Sequence, residues 1–293
     1  MFPTAASITE KLPRALRRHR LMTSWMAITR EPTLQLVRIR DNSFGYADMS
    51  DGFLRLIVID QRFEEDFFAI SDSILAKGGT FFDVGANHGL LSFGLAGRHG
   101  AAINFHLFEP NPKLVLSIEK TAKLYPKMRL KVNQIAVLDK EGTAFVEINQ
   151  TQSGVSHVST REQGLQVACI SIDAYMENTG LSSVELLKLD IEGLELPALR
   201  GAKACLEERK IKAVYLEYFE KWLRRVAPPA ELLRFLNSVG FETCFCRPGD
   251  YLTHGGATHE LAESGVPLLP IANFKLPEMT DLLAVPKESI LPR

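Results

Sequence analysis

The sequence predicts a doubly wound α/β domain, a parallel sheet with helices on both faces. From about residue 46 onward, short apolar runs alternate with stretches of helical periodicity, and one apolar run feeds directly into a small-residue turn at 85–89. The length agrees: 293 residues, 46% apolar and 24% charged, suffice for a large core without a metal or disulfide staple. Seven strands are expected, at Thr80–Val84, Ile103–Phe108, Leu130–Val137, Leu186–Leu189, Ala213–Glu217, Phe241–Cys246 and Asp281–Val285. Helices are expected between them at 63–76, 90–98, 113–125, 195–208 and 229–239, the last ended by Gly240.

One region breaks the alternation. Thr143–Asn149 and Leu165–Ile172 read as two extended runs joined by a polar stretch, 150–164, so a β-hairpin inserted before the fourth strand is expected. Long polar loops inside a compact domain tend to be functional. This loop carries Ser153, Ser156, His157 and Ser159.

Charge narrows the partners. Thirty-four Lys and Arg against thirty-five Asp and Glu give a net charge of -1, which provides no general attraction to nucleic acid. Residues 1–40 stand apart with eight basic groups and two acidic ones. Leu12, Leu16, Leu21, Trp25 and Ile28 recur there at helical spacing, so residues 1–45 read as a basic helical extension and 46–293 as the main domain. The extension is expected to cap the domain, with weak contact to an acidic surface as the alternative. Apolar stretches fall short of the roughly 18 residues a membrane-spanning helix needs. Cys169, Cys205, Cys244 and Cys246 form no CxxC pair, so a reducing, cytoplasmic setting is the expectation.

The strongest local signal runs from Phe81 to Ser92. An apolar strand enters the turn Gly85-Ala86-Asn87-His88-Gly89 and then a helix, so backbone amides face the carboxyl edge of the sheet, where a nucleotide-like ligand is held. Gly85 and Gly89 allow close backbone approach and dihedrals that glycine accepts cheaply. Twenty residues past Gly89, Glu109 ends the next strand and is placed to accept hydrogen bonds from both hydroxyls of a ribose. A dinucleotide site favours G-x-G-x-x-G, whereas here Asn87 stands where a phosphate would approach. Asp83 and Asn87 suit instead the cationic amino and sulfonium groups of S-adenosylmethionine.

A second constellation is Leu186-Leu187-Lys188-Leu189-Asp190-Ile191-Glu192-Gly193-Leu194-Glu195. Asp190 and Glu192 fall at the end of the fourth strand, and Glu217 should end its neighbour at the same edge. Three converging carboxylates suit a general base for a substrate hydroxyl, or a hard-cation site. Capping of the following helix and pairing with a lysine are the ordinary alternatives.

With these residues in view, the chain resembles the FkbM-type methyltransferases. The resemblance rests on Asp83-Val84-Gly85-Ala86-Asn87-His88-Gly89, then Phe108-Glu109-Pro110-Asn111-Pro112, then Leu187 to Glu195, followed by Leu199-Arg200-Gly201-Ala202, and spans about residues 46–246. Ser171-Ile172-Asp173 is similar to the family's approach to the third block. The resemblance implies a Rossmann-like seven-stranded class I fold that O-methylates hydroxyls of sugars, glycans or secondary metabolites. It also implies that Asp83, Gly85, Asn87, Gly89, Glu109 and Pro110 hold the donor. His88, where relatives carry an aliphatic residue, is read as a partly exposed turn histidine.

Methyl transfer is an in-line displacement that chiefly needs alignment of donor and acceptor. A hydroxyl acceptor must also lose its proton. Asp190 is the first candidate base, with Glu192, Glu217 and His157 as rivals. The insertion loop and the stretch 247–274 are the natural acceptor walls. Cys244, Cys246, His254 and His259 supply four soft or borderline ligands for zinc, but the Cys-x-Cys spacing fits a buried strand face better, so no metal is expected and a divalent cation is only an option. Two other function classes share parts of the pattern: a nicotinamide-dependent oxidoreductase, and a donor-binding module without catalysis.

Overall fold

The computed structural model describes residues 33–52, 54–55, 63–148, 157–158, 163–246, 259–262, 264–271 and 276–292. It opens on a ribbon: β1 (Leu34–Arg40) and β2 (Ser43–Asp48) pair antiparallel, and their alternation turns Val37, Ile39 and Ala47 inward and Leu36, Arg38 and Phe44 outward. The expected helical extension over 1–45 is corrected here. Its apolar positions from Leu12 to Ile28 lie outside the described residues, whereas 34–45 are strand and turn, so the boundary at 45 cuts through β2.

The wound unit follows as α1 (Glu65–Ile74), β3 (Gly79–Val84), α2 (Leu90–His99), β4 (Ile103–Phe108), α3 (Pro112–Ala122) and β5 (Arg129–Asn133). Local chemistry marks these starts and stops. Asn111 caps α3 by accepting from the Lys113 N–H at 3.0 Å, and Pro112 stands at the first helical position. The hydroxyls of Ser117, Thr121 and Tyr125, spaced one turn apart, bond the backbone of Tyr46 and Phe44 and so close the free edge of β2.

Next come β6 (Ala136–Val137), β7 (Gly142–Glu147), β8 (His157–Val158) and β9 (Leu165–Ile170), forming a separate four-stranded sheet in the order β6-β9-β7-β8. The two runs expected to form a hairpin do pair antiparallel, as β7 and β9, but within this larger sheet. The long run expected at Leu130–Val137 is divided: β5 stays in the main sheet, and a turn in which the Ile135 N–H meets the Asn133 carbonyl sends β6 into the second one. Ile172, expected to be extended, starts α4 (Ile172–Thr179), because Ser171 accepts from the Ala174 N–H and caps a helix there.

The chain then supplies β10 (Leu186–Leu189), α5 (Glu195–Arg200), α6 (Lys203–Glu207), β11 (Val214–Phe219), α7 (Glu220–Leu223), α8 (Ala230–Ser238), β12 (Phe241–Phe245), β13 (His259–Leu261), β14 (Pro267–Pro270), β15 (Met279–Pro286) and β16 (Ile290–Pro292). The main sheet reads β16-β13-β14-β12-β15-β11-β10-β3-β4-β5. The strand count is therefore corrected from seven to ten. The seven expected runs form its contiguous part from β12 to β5, with β15 antiparallel between β11 and β12, and three short strands extend the β12 edge.

Both faces of the sheet are covered, as its parallel centre requires. Phe81 and Phe82, neighbours on β3, point to opposite faces and are both 0% exposed. Phe81 packs with Phe67, Phe93 and Phe105 on one side, and Phe82 with Phe108, Leu187 and Tyr175 on the other. Among the described residues, no helix is long and apolar enough to cross a membrane.

Candidate active site

The carboxyl ends of β3, β4 and β10 meet at one edge of the sheet. β3 runs into a turn in which Gly85, Asn87 and Gly89 have φ of 76°, 52° and 71°. The turn is tied to β4, because the Gly85 and Ala86 N–H groups both donate to the Phe108 carbonyl, at 3.0 and 3.1 Å. Glu109, just past β4, receives the Asn87 N–H on Oε2 at 2.8 Å and the Asn111 N–H on Oε1 at 2.9 Å. Each oxygen keeps a further lone pair. Burial pushes the Glu109 carboxyl up to about 7, against the pull of those two N–H groups.

Gly85 is required here by packing within the protein. A Cβ on it would stand 1.9 Å from the Asp190 carbonyl oxygen, so β3 and the end of β10 touch backbone to backbone. Gly89 precedes α2, and a Cβ there would press on Phe93, Leu107 and Ile118. Neither the Gly89 nor the Asp83 position lines the cavity. Asp83 is 0% exposed behind the turn, where Oδ2 accepts from the Ser92 hydroxyl at 2.7 Å and Oδ1 faces the Lys188 ammonium at 3.3 Å. The expected direct contact of Asp83 with a ligand is therefore corrected to a buried ion pair.

Lys188 is a buried cation at this edge that the sequence reading does not single out. Its ammonium donates to the Gly85 carbonyl at 2.9 Å and pairs with Asp83 and Asp190, each at 3.3 Å. Burial alone lowers a lysine pKa, but the Asp190 and Asp83 carboxylates overcome that and raise it. The signal was present: a lone cation in the apolar run Leu186-Leu187-Lys188-Leu189 must find partners inside.

In front of this edge lies a cleft, partly open to solvent, lined by Glu109, Pro110, Asn111, Gly85, Asn87, Asp190 and Glu192. Leu114, Ile135, Val137, Val146 and Leu194 form its apolar wall. Asp190 keeps 42% of its side chain exposed beyond the contact with Lys188. Glu192, held at φ 56°, is raised to about 8 by burial and by the Asp190 and Glu195 charges. Glu217, on β11, is raised to about 9 by burial and then by Asp190, Glu192, Glu195 and Asp281. Glu195 pins the turn from behind, accepting from the Ile191 and Gly193 N–H groups at 3.1 and 3.2 Å, and burial raises it to about 7.

The structure thus brings Gly85, Asn87, Glu109, Pro110, Asp190 and Glu192 to one cleft, with Glu217 electrostatically coupled to it. His157 lies on β8, paired with Glu147; its side chain, the rest of its loop at 149–156 and 159–162, and the expected acceptor wall at 247–258 and 272–275 lie outside the described residues. His88 is corrected from partly exposed to buried, at 3% exposure. Ser117 donates its hydroxyl proton to the Tyr46 carbonyl, so His88 Nδ1 carries the proton it shares with Ser117 at 2.7 Å. Burial lowers the His88 pKa to about 4.

All four cysteines are buried free thiols. His254 lies outside the described residues, and among those described no group of three His, Cys, Asp or Glu is arranged to hold a metal ion.

A sheet with a parallel centre, a glycine turn, an acidic residue ending the next strand and carboxylates at the same edge is the arrangement with which α/β proteins hold nucleoside-like ligands. A family model described as the methyltransferase FkbM domain matches residues 83–243, and the chain belongs to that family of S-adenosylmethionine-dependent methyltransferases. Comparison with curated protein sequences finds no match. Among solved structures, the chain is similar to a precorrin-6y C5,15-methyltransferase from Geobacter metallireducens (10% identity, TM-score 0.38, covering 76% of this chain and 89% of that one). It is also similar to TYW2 from M. jannaschii in complex with AdoMet (9%, TM-score 0.39, 90% and 88%). A third is a SAM-dependent O-methyltransferase from Thermotoga maritima (11%, TM-score 0.39, 89% and 80%). The family match decides between the methyl donor and a nicotinamide in favour of the donor.

Proposed function

We propose that the protein methylates a hydroxyl of a sugar, glycan or secondary metabolite. The observation that carries the reading is one cleft whose lining holds the carboxyl groups of Glu109 and Asp190 together with an apolar wall. S-adenosylmethionine fits that donor set and supplies a methyl group on a positively charged sulfur. Glu109 has two lone pairs left for a ribose diol, the apolar wall suits an adenine, and Asp190 suits the cationic end.

Asp190, half-exposed at the edge where β10 ends, is the first candidate to take the acceptor's proton, and a donor ammonium on the same carboxylate would pass that role to His157. Glu192 and Glu217, raised to about 8 and 9, hold their protons at neutral pH, so they serve as hydrogen-bond donors that orient the acceptor's oxygens. His157 remains the rival base from the second sheet. The reading places the enzyme in a reducing cytoplasm, with residues 1–40 making weak contact with an acidic surface and no nucleic acid as partner.

Calorimetric titration with S-adenosylhomocysteine, with NAD as the control, tests the reading. Binding of the first alone, lost in Glu109→Ala, supports it. Failure to bind it, or preference for NAD, overturns it.

A further inference from the structure

Stability does not account for a lysine at position 188. Its neighbours Leu186, Leu187 and Leu189 are 0% exposed, and buried ion pairs replaced by apolar side chains of similar volume commonly leave a protein as stable or more so. What distinguishes Lys188 is where its partners lie. Asp83 is buried behind the turn, but the other two, Gly85 and Asp190, are residues of the cleft lining.

We propose that Lys188 is the positioning residue for the amino-acid end of the methyl donor, acting from inside the sheet through Gly85 and Asp190. The inference rests on the cleft being a donor site. A donor whose ribose diol lies on Glu109 presents its ammonium to another part of the lining, to which Asp190 contributes a half-exposed carboxylate. Lys188 holds Asp190 by Oδ2 and leaves its other oxygen for that ammonium. It also draws the Gly85 carbonyl inward, so the turn's first peptide is fixed in direction. Asp83 anchors the ammonium from below and is itself held by Ser92 on α2, which makes the chain Ser92, Asp83, Lys188, Asp190 a continuous support for one half of the cleft. Glu109 is held directly by the backbone N–H groups of residues 87 and 111 instead, so the direct supports of Glu109 and of Asp190 are separate.

That separation provides the test. S-adenosylhomocysteine carries the amino-acid end, whereas 5′-methylthioadenosine carries only the adenosine part. Calorimetric affinities for both probes are compared in the wild-type protein, in Lys188→Met, and in Asp83→Asn/Lys188→Met, which leaves no unpaired buried carboxylate if the single variant fails to fold. The expected result is a loss of about 10- to 100-fold for S-adenosylhomocysteine, the range seen when the support of a binding group is removed, with methylthioadenosine changed by less than about threefold. Equal losses for the two probes mean that Lys188 serves the fold in general, and they overturn the inference alone. Absence of binding by the wild-type protein overturns the donor reading and this inference with it.

Discussion

The backbone of Gly85 lies against the carbonyl of Asp190, so close that a single added methyl group would reach within 1.9 Å of that oxygen. Gly180 has a similar positive φ, 67°, with nothing within 4 Å of its own Cβ position. Gly180→Ala therefore costs only the left-handed backbone, about 1–2 kcal/mol. Gly85→Ala adds the overlap with Asp190 and is expected to cost about 1–3 kcal/mol more, as overpacking does. Urea denaturation of the two variants measures the difference, and equal losses would show that β3 and β10 do not touch in this way.

Donor affinity should depend on pH through Glu109. Its carboxyl titrates at about 7, and a ribose diol needs the ionised form as acceptor. Affinity for S-adenosylhomocysteine is expected to rise between pH 6 and 8 in the wild-type protein. In Glu109→Gln it should be weaker by about 10- to 100-fold, the worth of a hydrogen bond to a charged group, and flat over the same range. A pH profile unchanged by the substitution contradicts the assignment.

Stability has its own pH dependence with a definite sign. Burial raises Glu109, Glu192, Glu195 and Glu217 from 4.5 to about 7, 8, 7 and 9, so each binds its proton more tightly in the folded state. Their contribution is complete below 4.5 and is lost as pH rises through those values. The ligand-free protein should thus melt at a lower temperature at pH 9 than at pH 7, and Glu217→Gln should reduce that drop. An unchanged drop in the variant would place the pH-sensitive groups elsewhere.

His88 should behave as a neutral strut. Its pKa, lowered from 6.5 to about 4 by burial, gives stability that is present above 6.5 and lost as pH falls through about 4. Its imidazole resonances are expected not to titrate between pH 6 and 8. Ser117→Ala removes the hydroxyl that links it to the Tyr46 carbonyl, at an expected cost of about 1–3 kcal/mol for the buried groups left unpaired. Titration of His88 near 6.5 in the wild-type protein would contradict its burial.

Much of this architecture was legible because apolar runs and glycine turns leave strong local marks. The runs at 80–84, 103–108 and 186–189 became strands with nearly the expected limits. What escaped depends on partners distant in sequence. β13 and β16 are three residues each and are recognisable only through their pairing partners, and β1 and β2 alternate too briefly to outweigh the basic helical pattern before them. The break between β5 and β6 turns on Asn133 and Gln134, two polar residues inside an apolar run. At the site, residue types pointed to Glu109 and Asp190, and both line the cleft. Asp83 was assigned to the ligand because its charge was visible and its burial was not; the same blindness hid Lys188, whose role exists only once β3 and β10 lie side by side.

The position of β15 has a consequence for the growing chain. This strand pairs with β11 along one edge and β12 along the other, and Leu282 to Val285 are 0% exposed, yet it is made after both of them. While the ribosome is still short of residue 279, β11 and β12 exist without the partner that joins them, each presenting an open apolar edge. The sheet is completed only by insertion of a later strand into its interior, so the nascent protein must keep two sticky edges apart until residues 279–286 have been made.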